Sequence, residues 1–138
     1  MEDELITIMT AALLEENVID DKTPAEDIPI FRQGSLGEEV AYPDTFMTFW
    51  CSSEVEQSAY DNGTATIVWR FDANAYSTSV SLVYSLMDTC RKLLKAAGWQ
   101  TPDRGHDVAS DEIMHTGRGI SVTKLITQNP IEEEQANG

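Results

Sequence analysis

The chain has 138 residues, 41% of them hydrophobic, and a formal net charge of −15. That length suits one compact domain needing neither a metal nor a disulfide staple. The charge argues against binding nucleic acid by neutralising phosphates, which takes a basic stripe.

The excess acid is uneven. Residues 1–61 carry fifteen acids against Lys22 and Arg32, a net of −13, while the remaining 77 residues carry nine acids and seven bases, a net of −2. Such charge keeps a protein dispersed, and it also suits a surface past which DNA slides without sticking. Cys51 and Cys90 fall on different predicted elements with no zinc spacing. No basic start precedes an apolar run, so no signal peptide is read, and no stretch approaches a transmembrane helix. Folding in the cytosol is expected.

Glu2 to Asn17 reads as a helix. Leu5, Ile8, Met9, Ala12 and Leu13 recur at helical spacing, and Glu2, Asp3 and Glu4 sit where the N-terminal dipole favours anions. Val18 to Glu39 is loop-like, punctuated by Pro24, Pro29, Gly34 and Gly37, with a short strand around Ile28, Ile30 and Phe31. From Thr45, "TFMTFWCSS" is a strand with Phe46, Thr48 and Trp50 on one face and Met47, Phe49 and Cys51 on the other. Two largely apolar faces call for cover on both sides, by helices or by a neighbouring subunit. "YDNG", Tyr60 to Gly63, is a turn signal. It leads into a long strand in which Ala65, Ile67, Trp69, Phe71 and Ala73 alternate with Thr66, Val68, Arg70, Asp72 and Asn74.

Ser77 or Ser79 is placed to cap a second helix whose stripe is Val80, Val83, Leu86, Met87, Cys90, Leu93, Leu94 and Ala97. Gly98 suits its C-terminal stop. Two short segments follow, Asp107 to Met114 and Ile120 to Thr127, with "HTGRG" as the turn between them and Arg118 at its tip. These elements predict an α+β fold: an antiparallel or mixed β-sheet, an N-terminal helix and a central amphipathic helix packed on it, and a C-terminal β-hairpin. One domain spans residues 1–127, and the acidic tail, 128–138, is expected to be disordered.

Catalysis finds little foothold. His106, Asp107, Asp111, Glu112 and His115 would be the ligands of a metal-dependent enzyme, but their spacing matches neither HExxH nor a Cys/His zinc pattern. Pro102-Asp103 opens like one nuclease motif, yet the acid-x-Lys that should follow is missing. "GRG" lacks the remainder of a phosphate loop, and no serine sits in a GxSxG context. No catalytic residue, metal or cofactor is expected. The aromatics read differently. Phe46, Phe49, Trp50, Tyr60, Trp69, Phe71 and Tyr76 crowd two adjacent strands, more than one core absorbs, and Tyr and Trp are enriched at buried interface centres. Arg118 is a candidate anchor for a carboxylate on another subunit.

The succession "YPDTFMTFW", "YDNG", "WRFDANAYS", a helix ending "LLKAAGW", and "DVASDEIMHTGRG" resembles the phage tail terminator family. These are small proteins encoded among phage and prophage tail genes, chiefly of Gram-positive hosts, also called tail completion or minor capsid proteins. The likeness covers about Tyr42 to Val122; residues 1–41 follow only a looser helix-then-loop pattern. It implies a structural virion protein at the tail–neck junction, folded in the host cytoplasm. Six copies would form a ring that caps the tail tube, stops its growth and meets the neck or head-completion protein. DNA would pass through the lumen without specific binding, and no membrane would be involved. The candidate subunit-contact residues are Trp50, Tyr60, Asp61, His115 and Arg118. The alternatives are a head-completion protein that plugs the portal, a tail-assembly factor absent from the finished particle, and the metal-dependent enzyme built on the His106–His115 cluster.

Overall fold

The computed structural model describes residues 1–33, 43–58, 65–110 and 114–128. Helix α1 (Glu2–Glu15) opens the chain. A single 3-10 turn (Ala25–Asp27) leads to the short strand β1 (Ile30–Arg32). Strands β2 (Thr45–Ser58) and β3 (Ala65–Ser77) follow, then helix α2 (Val80–Ala96), the short β4 (His106–Val108) and the long β5 (Thr116–Gln128). The expected α+β architecture is present. The sheet has the order β1-β2-β3-β5-β4 and is mixed, because β1 runs parallel to β2 while the other neighbours are antiparallel.

Both helices lie on one face of this sheet. Met47, Phe49, Phe71, Ala73, Ala75, Ile120 and Val122 point into a core completed by Leu5, Met9, Ala12 and Leu13 of α1 and by Leu86, Met87, Cys90 and Leu94 of α2. The alternation explains the set: Met47 lies opposite Ala75, Phe49 opposite Ala73, and Phe71 opposite Val122. Two alanines on the central strand leave room for the helices to come down between larger neighbours. Cys90 is fully buried and its thiol is pushed up to about 12 by desolvation, so it behaves as a small hydrophobe.

The helix ends follow the chemistry of the sequence. Ser79 is the N-cap of α2, its hydroxyl accepting from the Leu82 N–H, and Gly98 takes φ +90 just past the C-terminus. Acidic residues of α1 tie it down. Glu2 pairs with Arg32 of β1 at 2.9 Å. Glu4 accepts from the Trp99 indole N–H at 3.1 Å and from Lys124 of β5 at 3.3 Å. Glu16, the C-cap residue, accepts from the Ser85 and Thr89 hydroxyls of α2 at 2.6 and 2.7 Å.

The chief departure from expectation is at Gly117-Arg118-Gly119. These residues are not a turn; they lie in the first half of β5, paired with both β3 and β4. The connection between β4 and β5 is instead 109–115. The glycines serve close approach. A Cβ on Gly117 would sit 2.6 Å from the Val108 carbonyl oxygen and 2.8 Å from the Tyr76 ring, and one on Gly119 would collide with the Asn74 side chain. The Asn62-Gly63 turn and the tail from 129 onward lie outside the described residues.

The hydroxyls of Ser85 and Thr89 hold the Glu16 carboxyl below the usual carboxylate range. A depressed folded-state pKa stabilises the fold above the unfolded value of about 4.3 and is lost as pH falls through the lower folded value. Urea titrations of wild type and Glu16→Gln at neutral pH and below pH 4 are expected to show the wild type losing more stability on acidification than the variant.

Candidate functional site

The face of the sheet opposite the helices has its own pattern. Phe46 stacks on Tyr76 with ring centroids 5.0 Å apart, and Phe31 and His115 meet Phe46 edge-on at 6.2 and 5.6 Å. Phe46 is 4% exposed, on the face away from both described helices. Next to it Asn74 donates to the Thr48 hydroxyl at 3.3 Å. Further along, Trp50 stands 48% exposed.

Trp50 is set up by its neighbours. It faces Asp72 across β2–β3, and its indole N–H donates to Asp72 Oδ2 at 2.7 Å. The other carboxylate oxygen accepts from the Ser121 hydroxyl of β5 at 2.8 Å. The polar end of the indole is therefore satisfied within the chain, and the carbon surface of the ring is what solvent meets. A register shift between Cys51 and Ser53 then changes the alternation of β2. Beyond it Ser53 and Val55, opposite Arg70 and Val68, share the Trp50 face, while Glu54 is opposite Trp69 on the helix side. Val55 is 48% and Leu125 43% exposed. Without the bulge, Glu54 rather than Val55 would have extended the Trp50 face.

Of the residues singled out in the sequence, Trp50 and His115 share this helix-free face, at separate places along it. His115 Nε2 lies 2.9 Å from the Pro43 carbonyl oxygen, a bond in which a protonated Nε2 donates. Arg118 is on the other face. It is in a strand, not at a hairpin tip, because the glycines beside it are strand positions. Its guanidinium bonds Asp107 of β4 at 3.1 Å and lies over the Tyr84 ring, 4.8 Å from the centroid. The Tyr84 hydroxyl donates to the same Asp107 oxygen at 3.0 Å. The acid that Arg118 meets here belongs to its own chain. Tyr60 and Asp61 lie outside the described residues.

The described members of the acid–histidine cluster diverge. His106 and Asp107 are successive residues of β4 and point to opposite faces. His106 Nδ1 is 2.6 Å from Asp103 Oδ2, Asp107 meets Arg118, and His115 meets Pro43. Burial would raise the Asp103 carboxyl, but the Gly105 backbone N–H and His106 outweigh it and hold the carboxyl below its ordinary value. Among the described residues no group of three or more His, Cys, Asp or Glu gathers as a metal site; Asp111 and Glu112 lie outside them. Nor is any described helix long and apolar enough to cross a membrane.

Sequence reasoning missed Asp72, Ser121, Val55 and Leu125. Alternation placed Asp72 on the mixed face, but only the observed register brings it opposite Trp50. Neither a comparison with protein-family models nor a search of curated proteins finds a match for this chain.

The account of the glycines is open to a direct check. Gly117→Ala is expected to destabilise the protein by about 1–3 kcal/mol, the usual size of overpacking, and to strip amide-exchange protection from His106–Val108. A turn glycine with no close neighbour would instead leave β4 protected.

Proposed function

We propose that the chain is a structural virion subunit, a tail terminator, copies of which close into a ring that caps the phage tail tube and joins it to the head or neck. The number six rests on the family resemblance alone. The observation that carries the reading is the sheet face away from the helices, where an indole with its N–H already satisfied is held half-exposed and Val55 and Leu125 stand exposed further along the same face. Aromatic anchors of this kind dominate the centres of protein interfaces. One face of a sheet meeting a different surface on the next copy is a heterologous contact, which closes into a ring when the rotation divides a circle.

The charge supports the same reading. The first 61 residues carry fifteen acids against two bases. An acidic surface turned toward a lumen lets DNA pass without being held. The partners under this proposal are further copies of the chain, the tail tube protein and a neck or head-completion protein. Its place is the virion's tail–neck junction.

The test is to disrupt the gene in the phage or prophage that encodes it and image the lysate by electron microscopy. Overlong or ragged tails beside unattached, DNA-filled heads are the expected result. Normal-length tails beside emptied heads would replace the terminator with a head-side plug, and intact infectious particles would overturn a structural role altogether.

A further inference from the structure

A groove of about 480 Å³ lies along the β3–β5 seam on the helix-free face. Val68 and Leu125, directly opposite each other, give it an apolar floor, and Gln100 and Pro102 line its side. Arg70, two residues along β3 from Val68, is exposed and makes no ion pair among the described residues. The carboxylate of Asp72, two residues further on, is already taken up by the Trp50 indole and the Ser121 hydroxyl. A surface that fills this groove therefore brings an apolar side chain for the floor and a free carboxylate for Arg70.

That pairing is uncommon on this molecule. Besides Trp50, Val55 and Leu125, the large apolar side chains that stand exposed among the described residues are Leu14, Val80, Tyr84 and Met114. Val80 lies between Ser79 and Ser81 in the chain, and Met114 between Ile113 and His115. Tyr84 lies beneath the Arg118 guanidinium, whose charge is the same as that of Arg70. Leu14 alone has an acid beside it in the chain. That acid, Glu15, is exposed and makes no ion pair among the described residues. Leu14 and Glu15 end α1, whose other exposed positions include the small Thr7 and Ala11, so nothing bulky there holds the helix off a sheet. In its own chain α1 packs on the opposite face of the sheet from the groove, so the two surfaces meet only between copies.

We propose that α1 of a second copy docks on the helix-free face, with Leu14 on Val68 and Leu125 and Glu15 bonded to Arg70. The proposal rests on the reading of the chain as a ring subunit and names the two surfaces that meet in the ring. At about 3.3 Å per residue Arg70 is about 7 Å along the strand from Val68, a gap that the long side chains of an arginine and a glutamate close. The surfaces differ, one a sheet face and the other an outer helix, as a heterologous contact requires.

The test complements the disrupted gene with charge variants and counts infectious particles. Arg70→Glu and Glu15→Arg are each expected to cut the titre by about tenfold or more, as like charges brought together at an interface do. The two changes in one chain are expected to restore it, which a folding defect in either variant would not allow. A wild-type titre with Arg70→Glu alone would overturn the contact and leave the ring standing, as would a double variant no better than the single ones. Intact infectious particles from the disrupted gene itself would remove the ring reading, and this contact with it.

Discussion

Helices of 14 and 17 residues span about 21 and 26 Å, whereas strands of 13 and 14 residues run about 43 to 46 Å. Two such helices lying side by side cover one face of this sheet, and only part of its length. The rest of the structure depends on that mismatch. Where the helices lie, the sheet presents Met47, Phe49, Phe71, Ala73, Ile120 and Val122, all buried. On the other face Phe31, Tyr76 and His115 pack against the buried Phe46, whereas Trp50, Val55 and Leu125 stand exposed. A face that is sealed at one end and open at the other suits a subunit completed by something else.

The same geometry gives the acid two tasks. Glu2, Glu4 and Glu16 hold α1 against β1, β5 and α2, so part of the N-terminal excess is structural. Among the described residues the other acids of the first 61 make no ion pair, and unpaired carboxylates repel nucleic acid. Under the proposed function that repulsion is used.

The elements were legible where the periodicity was long. The stripe of α2, its Ser79 cap and its Gly98 stop all followed from residue types with local causes, and so did the two-faced reading of β2. The region after Gly105 was not. Glycine signals either positive φ or close approach, and sequence does not separate the two, so Gly117 and Gly119 read as a turn when they are strand positions packed under Val108, Tyr76 and Asn74. Arg118 moved with them, from a tip to a strand, and its acid proved to be Asp107. Register was equally hidden. The bulge at Cys51–Ser53 leaves no mark in the pattern, yet it decides that Val55 and not Glu54 extends the Trp50 face. Trp50 itself was found as an aromatic surplus; that its N–H is satisfied by Asp72 was visible only in three dimensions.

The central claim is that the helix-free face is covered by another copy in the assembled particle. Hydroxyl-radical footprinting, read by mass spectrometry at Trp50, compares the free subunit with the particle. The account predicts ready oxidation of Trp50 in the free subunit and strong protection in the assembly, with the fully buried Leu86 unchanged in both. Equal oxidation of Trp50 in the two states would contradict it.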